Sequence, residues 1–562
     1  MKKHRRTKGI LLLTLVLAML ITACSSNNST TNNESSTAAP QTGNAEEANN
    51  AGQAAIDINA KYDPPIEITG WRYTESTYQY ENGDTIEDNI YTRTYEEDLG
   101  IKLKYTWTVP LEQFKQKLNV SIAAGDLPDI MWVEAQQLAE LTENDLILDL
   151  TELYEQYASP VAKDILEQDM KAFNTAKIGG KLMAIPHTSS AVDGLPILYV
   201  RTDWLANLGM NEPQTMQDVL AIAEAFTKND PDQNNQEDTF GIAFTKTFLT
   251  DTHFGTTGFM SGYHAYPTKW IEKDGQLVYG SIQPEVKQGL EALQKLYANG
   301  MIDREFGVKD RAKVTESVAG GKVGMFYGSM SAPLSIIQNN IDNDPAAEWK
   351  AFELVSVDEV RATPIAKMPI QKYYVVNKKT KHPEAIFKLL NMSMQGYDLN
   401  VEPEEGYGYS ESGIATFLYN FIAADPALKN LTAHNKVTAA LDKNDPSELN
   451  AEELGYYERA LAFRGGDLSN WGTERVFGTP SSFDVIGAYV DKDNYILDGF
   501  YGAATPTMVE RNATLLTMEE EVFTKIIMGE SLDAFDKFVE DWNKLGGTQI
   551  TEEVNEWYEL IK

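Results

Sequence analysis

Residues 111–133, LEQFKQKLNVSIAAGDLPDIMWV, place a helix, a turn and a strand in immediate succession. Phe114, Leu118 and Ile122 recur at i, i+4 and i+8, which is the spacing of a single helix face. Gly125 is expected to end that helix, because glycine tolerates the left-handed conformation found at helix C-termini. The turn DLPD then leads into IMWV, four apolar residues that predict a short buried strand.

The same alternation precedes this stretch. Residues 66–69 (IEIT) and 101–105 (IKLKY) alternate apolar and polar residues as strands do, and residues 91–99 predict a helix that ends at Gly100. This βαβαβ succession predicts an α/β lobe with a mostly parallel sheet. Further helices are predicted around 213–227, 284–299, 383–395, 507–528 and 531–545.

Composition describes a large, acidic, multi-lobed protein. The chain has 562 residues and a formal net charge of −35, and 42% of its residues are hydrophobic. This length exceeds what one core usually supports, so two or three lobes are expected. The acidic excess argues against nucleic acid as a partner, since binding phosphates requires Lys and Arg. With a single cysteine, an intramolecular disulfide is impossible.

The N-terminus has the pattern of an export signal. Five positive charges precede an apolar run of about fifteen residues, which is too short to span a bilayer and suits a signal peptide. The run ends in ITAC, which resembles the bacterial lipobox. The resemblance implies that residues 1–23 are removed and that Cys24 carries the lipid that anchors the protein to the membrane. The alternative is a plain secretory peptide with an incidental cysteine.

Cleavage would remove those five positive charges and leave a formal net charge of −40. Residues 24–60 are rich in Asn, Ser, Thr and Ala, and are expected to be a flexible tether. We therefore expect a folded acidic body at the outer face of a cell membrane.

Catalytic signatures are missing from the sequence. It contains no GxSxG, HExxH or Walker motif, and no GxGxxG follows a predicted strand. Its six histidines show no metal-ligand spacing. Carboxylates are so abundant that no pair of them is informative. These observations favour a binding protein over an enzyme.

One acidic segment, 230–238 (DPDQNNQED), has the spacing of a calcium loop. Calcium takes six to eight oxygen ligands, and oxygen side chains here alternate along the chain. The predicted ligands of a structural calcium ion are Asp230, Asp232, Asn234, Gln236 and Asp238. Gly241 stands where an EF-hand has its bidentate Glu, so an EF-hand itself is not expected. The alternative is an acidic, solvated loop between a helix and a strand.

Aromatic residues in Gly-rich segments are the second candidate signal for a site. Such rings suit the apolar faces of sugars, and loops are where ligand contacts gather. Candidates of this kind are Trp71, Tyr263, Trp270, Tyr327 and Trp471. For each of them the alternative is a place in the core, and Trp132, Trp204 and Trp542 are assigned to packing outright.

Five stretches of the sequence match a known family. They are AGDLPDI (124–130), GKLMAIP (180–186), VRTDWL (200–205), GKVGM (321–325) and KIIMG (525–529). On these stretches the chain resembles the family 1 extracellular solute-binding lipoproteins of sugar ABC importers, in particular the LplA/LipO-like group of Gram-positive bacteria. The match covers essentially all of the predicted mature body.

The resemblance implies a periplasmic-binding-protein-like II fold, in which two α/β lobes are joined by crossing strands near His187 and within 355–375. The expected organisation is residues 64–186 in lobe 1, 187–355 in lobe 2, 356–480 as the return to lobe 1 with an insertion that caps the cleft, and 481–562 as C-terminal helices mainly of lobe 2. Residues 396–480 match no element pattern. In relatives that bind acidic oligosaccharides, a calcium ion occupies a loop like 230–238.

The implied function is a monomeric, lipid-anchored receptor at the outer face of the cell membrane. It would capture an oligosaccharide by lobe closure and deliver it to ABC permease subunits, with no covalent chemistry. The candidate ligand-binding residues are Trp71, Arg72, His187, Ser189, Tyr263, Trp270, Tyr327, Trp471 and Tyr501. A surface glycoside-processing enzyme and a peptide-binding receptor remain the alternatives.

Overall fold

Strands and helices alternate along the part of the chain that the computed structural model describes, residues 57–58, 60–75, 78–397, 408, 410 and 414–561. The strands are β1 (Ile66–Thr74), β2 (Ile101–Pro110), β3 (Ile130–Val133), β4 (Lys177–Ile178), β5 (Lys181–Leu182), β6 (Ile185–Thr188), β7 (Ile197–Arg201), β8 (Phe240–Ile242), β9 (Trp270–Lys273), β10 (Gln276–Tyr279), β11 (Val323–Gly328), β12 (Trp349–Phe352), β13 (Ile365–Ala366), β14 (Ile370–Val376) and β15 (Ile496–Leu497). The α-helices are α1 (Ile90–Leu99), α2 (Leu111–Ala124), α3 (Ala135–Glu143), α4 (Thr151–Tyr157), α5 (Pro160–Glu167), α6 (Met170–Asn174), α7 (Thr202–Leu208), α8 (Met216–Lys228), α9 (Thr257–Ser261), α10 (Pro284–Ala298), α11 (Arg311–Ala319), α12 (Gln338–Asn343), α13 (Ala385–Met394), α14 (Lys429–Lys443), α15 (Ala451–Arg464), α16 (Trp471–Phe477), α17 (Ser482–Asp491), α18 (Pro506–Ile527), α19 (Asp533–Trp542) and α20 (Thr548–Ile561).

Helices α1 and α2 begin and end close to where the sequence predicts. Gly100 and Gly125 follow them with φ angles of 66° and 69°, as left-handed C-caps. At Gly100 a Cβ atom would lie 2.4 Å from the Tyr62 carbonyl oxygen, so no other residue fits there without a shift of the backbone. The side chains of Phe114, Leu118 and Ile122 are all buried, which confirms the predicted apolar face of α2.

The sheets are mixed, and the expectation of a mostly parallel sheet is wrong. Strands β1 and β2 form a parallel pair, as the βαβ pattern predicts, but β3 does not join them. Elsewhere β8 pairs parallel with β11, and β13 with β15. Strand β3 pairs antiparallel with β14, which also pairs antiparallel with β6. The mismatch arises because the partner of β3 comes from more than 200 residues further along the chain, where a local pattern cannot indicate it. The second large sheet has the order β12-β7-β11-β8.

The described residues pack around two hydrophobic cores. The first core contains Trp71, Phe114, Ile185 and Tyr374, together with residues up to Ala424. A separate set makes up the second core, with members that include Trp204, Phe259, Met325, Val437, Trp471 and Trp542. The chain passes between the cores within residues 185–192, 366–373 and 424–431.

The passage at residues 424–431 is not part of the expected organisation. The sequence places residues 356–480 in lobe 1 and its cap, whereas in the structure α14, α15 and α16 pack in the second core. Alanine-rich faces explain why no pattern is visible in the sequence: the buried side of α14 includes Ala433 and Ala440 beside Leu431 and Val437. Small side chains give a weak hydrophobic period even where they are buried.

Two observations concern the membrane. Among the residues that the structure describes, no helix has the length and apolar character needed to cross a bilayer. The predicted signal peptide, Cys24 and most of the tether lie outside the described residues.

Candidate functional site

Three chain segments run side by side where the two cores meet. The Ser189 N–H donates to the Pro369 carbonyl oxygen at 2.9 Å. The Asp425 N–H donates to the Thr188 carbonyl oxygen at 3.0 Å, and the Thr188 hydroxyl donates back to the Asp425 carbonyl oxygen at 2.9 Å. These hydrogen bonds join residues 188–191, 367–370 and 425–430, here called the crossing segments, at the place where a hinge is expected in a two-lobed protein.

A cavity of about 630 Å³ opens beside two of the crossing segments and is here called the hinge-side cavity. Ser189 and Pro369 line it on the hinge side, whereas Trp270 and Tyr327 line it from the second core. The volume falls in the usual range for small-molecule sites. Three of the predicted site residues, Ser189, Trp270 and Tyr327, therefore border one cavity.

A partly buried ion pair lies in the wall of the hinge-side cavity. The Lys269 ammonium is 3.6 Å from the Asp498 carboxylate, and the Trp270 N–H donates to the same carboxylate at 3.0 Å. Burial lowers the pKa of Lys269 and raises the pKa of Asp498. This arrangement fixes the backbone of Trp270, and with it the position of an aromatic ring at the cavity.

Rings and cations gather on the first core beside strand β14, in what we call the aromatic–cation cluster. Its members are Arg72, Tyr73, Trp132, Lys372 and Tyr374. The Lys372 ammonium lies 4.8 Å from the Trp132 ring centre, 5.8 Å from that of Tyr73 and 5.7 Å from that of Tyr374. Arg72 is buried and donates to the carbonyl oxygens of Leu418 and Asn420 at 2.5 and 3.0 Å.

His187 stands opposite Lys372 in the pairing of β6 with β14. Its Nδ1 lies 3.1 Å from the Tyr374 hydroxyl. Burial, together with the charges of Lys372 and Arg72, holds the pKa of His187 well below its usual range, so the ring is neutral at pH 7. His187 therefore adds a hydrogen-bonding group and no charge to this side of the hinge.

Other candidates lie in the cores. Trp71 is fully buried and donates from Nε1 to the Trp132 carbonyl oxygen at 3.2 Å. Tyr263 packs against Phe259 in the second core and is not among the residues that line the hinge-side cavity. Tyr501 is half-buried and meets Trp557 edge-on at 4.8 Å, next to the cavity but outside its lining.

Trp471 is not the exposed loop residue that the sequence suggests. It begins helix α16, is 6% exposed and borders a different cavity, which lies along strand β12. Its glycine neighbours have structural roles: Gly465 caps α15, and Gly472 lets α16 approach the Pro333 carbonyl oxygen, where a Cβ atom would lie at 2.4 Å. Trp132, Trp204 and Trp542 are buried, as the sequence predicts, although Trp542 also lines the hinge-side cavity and Trp132 belongs to the aromatic–cation cluster.

Three charged residues at the site could not be identified from the sequence. Lys372, Lys269 and Asp498 are single charged residues among apolar and polar neighbours, and no motif marks them. The one available signal is the position of Lys372 directly before YYVV, where the strand becomes buried. A charged residue at the entry of a buried strand is a candidate for a site once the strand is known to cross between lobes.

The acidic segment 230–238 folds into a tight loop. Asp230 accepts hydrogen bonds from the N–H groups of Asn234 and Asn235, both at 3.0 Å. The Asn234 amide donates to Asp232 at 2.8 Å and to Asp238 at 3.3 Å. Burial and the neighbouring Asp230 and Asp238 raise the pKa of Asp232, whose Oδ1 is buried without a hydrogen-bond partner in the described structure.

The loop already has one cation beside it, because the Lys322 ammonium contacts Asp238 and lowers the pKa of that carboxylate. In the described part of the chain, no three His, Cys, Asp or Glu side chains stand in position to hold a metal ion. The loop is thus compact and rich in oxygen, but its side chains are not arranged as a formed metal centre.

Comparison with known proteins identifies the family. Residues 77–393 match the family model of the bacterial extracellular solute-binding proteins, which is more than half of the chain. The polygalacturonan/rhamnogalacturonan-binding protein YtcQ of Bacillus subtilis is 24% identical over 470 residues, covering 82% of this chain and 86% of that protein. The lipoprotein LipO of the same organism is 23% identical, covering 84% of this chain and 89% of that protein.

Solved structures support the fold. An HMO-binding, ABC-transporter-associated solute-binding protein of Bifidobacterium longum infantis aligns with a TM-score of 0.63 at 15% identity, covering 88% of this chain and 99% of that one. FusA of Streptococcus pneumoniae, solved with kestose, aligns with a TM-score of 0.58 at 13% identity and the same coverage. The expected two-lobed α/β fold of solute-binding proteins is confirmed. The chain belongs to the bacterial extracellular solute-binding protein family.

Proposed function

We propose that this protein captures an oligosaccharide outside the cell and delivers it to the permease of an ABC transporter. The observation that carries the proposal is the hinge-side cavity, which lies beside the crossing segments and contains both rings and fixed polar groups. A sugar presents C–H faces and in-plane hydroxyls, so its site needs both kinds of group. The names of YtcQ and of the fructooligosaccharide substrate-binding protein FusA support a saccharide as the ligand class.

The protein acts by closure of its lobes and not by catalysis. A ligand that contacts both lobes favours the closed form by its differential affinity, and no bond of the ligand changes. Asp251 and Asp498 carry the carboxylates among the described residues that line the cavity. Asp251 is paired with Arg311, and Asp498 with Lys269, so each carboxylate already has a cation as its partner.

A thermal-shift screen against plant and bacterial oligosaccharides tests the proposal. A ligand raises the free energy of unfolding by RT ln(1 + [L]/Kd), so a ligand at 100 times its Kd adds about 2.7 kcal/mol. We expect a saccharide to raise the melting temperature and to be recovered unchanged after incubation. Recovery of shortened products would favour the glycoside-processing enzyme, and stabilisation by peptides alone would favour the peptide receptor.

Cys24 is proposed as the lipid anchor that holds the protein, as a monomer, at the outer face of the membrane. The support is the ITAC sequence after a signal-like apolar run, together with the similarity to the lipoprotein LipO. Cys24→Ser should release protein into the medium or leave an unprocessed precursor. If this variant partitions into detergent like the wild type, the anchor lies elsewhere.

A structural calcium ion is proposed for the loop 230–238. The support is chemical: the loop supplies alternating oxygen groups, and Asp232 Oδ1 is buried without a donor. The residues that would hold the ion are Asp230, Asp232, Asn234, Gln236 and Asp238. FusA has been solved as an EF-hand mutant, so a similarly folded protein contains such a motif. Here the ion would pin the connection between α8 and β8, away from the hinge-side cavity.

A further inference from the structure

Lys372 is a cation without a counter-ion in a strongly acidic protein. Lys372 is half-buried, and among the described residues it forms no ion pair and donates no hydrogen bond; Glu75 is the negative group that acts on it, and it does so without direct contact. Its surroundings are instead the three rings of the aromatic–cation cluster. Burying a charge without a partner is costly, so an unpaired lysine at such a position needs an explanation.

Other hydrogen-bond donors nearby also lack acceptors. Arg72 Nε and Trp132 Nε1 are both buried without a hydrogen-bond partner in the described structure. Arg72 uses its remaining nitrogens on two neutral carbonyl oxygens, so its charge is not neutralised by a carboxylate. The cluster therefore has an excess of donors and of positive charge, and both would be relieved by an anionic acceptor.

The electrostatics of Lys372 agree with that description. Burial and the charge of Arg72 lower the pKa of Lys372 to about 7, against the opposing effect of Glu75. The other groups that face it are the neutral ring of His187 and the hydroxyls of Tyr73 and Tyr374. Glu75 acts on Lys372 without forming an ion pair with it, and an anion bound directly to the ammonium would raise the pKa of Lys372 further.

The cluster lies within reach of an oligosaccharide bound at the hinge. Pro369 lines the hinge-side cavity, and Lys372 follows it by three residues at the start of β14, about 10 Å along an extended chain. His187, opposite Lys372, is likewise two residues before the cavity residue Ser189. None of the five cluster residues lines the cavity, so a ligand must extend over several sugar units to bring one of them from the cavity to Lys372.

We propose that the oligosaccharide carries a carboxylate and that Lys372 binds this carboxylate on the aromatic–cation cluster, with Arg72 as a fixed second cation behind it. The inference rests on the proposed function and narrows the ligand to sugar acids. Trp132 and Tyr374 are buried, so these rings hold the lysine by cation–π contact and recognition of the sugar acid rests on the charge. Because salt screens charges beyond about 8 Å, the local cations outweigh the negative charge of the whole molecule.

The test compares oligouronates with their methyl esters, which keep the sugar chain and remove the charge. Oligogalacturonates and oligomannuronates are titrated calorimetrically into the wild type, Lys372→Gln, Lys372→Arg and Lys379→Gln. Lys379 is exposed and lies beyond the other end of β14, so its loss makes the same change in net charge away from the cluster. We expect one acid to bind at least tenfold more tightly than its ester.

The variants separate a charge-recognising role from a structural one. Lys372→Gln should weaken binding of the acid by tenfold or more and leave binding of the ester within about threefold, while Lys379→Gln changes neither. Affinity of the wild type for the acid should fall as the pH rises from 6 to 9, because Lys372 loses its proton. Lys372→Arg should bind the acid without that decline, since arginine stays charged.

Two results would overturn the inference. Equal affinity for acid and ester, or preference for a neutral saccharide, would leave the proposed function intact and remove the carboxylate from the ligand. An equal loss of acid and ester binding in Lys372→Gln would make Lys372 a structural residue. If no saccharide binds, acidic or neutral, the proposed function itself fails and this inference fails with it.

Discussion

Glu519 is fully buried in α18, where Tyr279 and Ser281 donate hydrogen bonds of 2.8 and 2.6 Å to its two carboxylate oxygens. Burial raises its pKa from 4.5 to about 7, because the core disfavours the charged form more than two hydroxyl groups favour it. The folded protein therefore holds a proton that the unfolded chain releases between about pH 4.5 and 7. In this range the free energy of unfolding falls as the pH rises.

Glu519→Gln should remove that dependence, since an amide of the same shape does not titrate. The free energy of unfolding of the wild type should fall between pH 5 and pH 8, and that of the variant should not. We expect the difference, variant minus wild type, to increase by up to about 3 kcal/mol over this range. Urea unfolding at several pH values measures the difference. A gap that stays constant with pH would mean that Glu519 is already ionised in the folded protein.

Trp471→Ala distinguishes a core ring from a ligand-binding ring. Because Trp471 is 6% exposed and packs in the second core, its loss should lower the free energy of unfolding by about 3–5 kcal/mol. Oligosaccharide affinity of the folded fraction should stay unchanged, since Trp471 does not line the hinge-side cavity. If the variant keeps wild-type stability and loses oligosaccharide binding, Trp471 is a ligand-binding residue.

Helices and strands with a strong local sequence pattern could be predicted, and those without such a pattern could not. Helices α1 and α2 have an apolar period and a terminal glycine, and both appear where expected. Helix α16 was missed because glycines on either side of Trp471 resemble a loop, although they serve helix capping and close packing. Strand β1 runs on to Thr74, past its predicted end, which places Trp71 in the first core.

The loop between α8 and β8 gives a prediction about metal removal. If it holds calcium, a chelator should lower the melting temperature by a few degrees, and added calcium should restore it. Asp232→Ala combined with Asp238→Ala should abolish this response. Glu237→Gln is the matched control: it removes one charge from an exposed position between the proposed ligands, so the response should persist. If the chelator does not change the wild-type melting curve, the loop holds no calcium and is stabilised by its own hydrogen bonds and by Lys322.

At the scale of the whole molecule, the family and the two-lobed fold could be predicted from the sequence, and part of the site followed from them. Ser189 and Tyr327 border the hinge-side cavity because crossing strands and the end of β11 must reach the meeting point of the cores. Lys372 and Asp498 could not be predicted, since each gains its role only from residues far along the chain. Tertiary pairing of this kind leaves no local pattern.

A receptor that closes its lobes on an oligosaccharide binds the sugar and releases it intact. Calorimetric titration of the purified mature protein with the best saccharide from the thermal screen, followed by chromatography of the recovered sugar, tests this most directly. We expect one site per chain, a negative heat-capacity change from apolar burial, and a sugar of unchanged length. Turnover of the saccharide, or no binding by any saccharide that the screen contains, would contradict it.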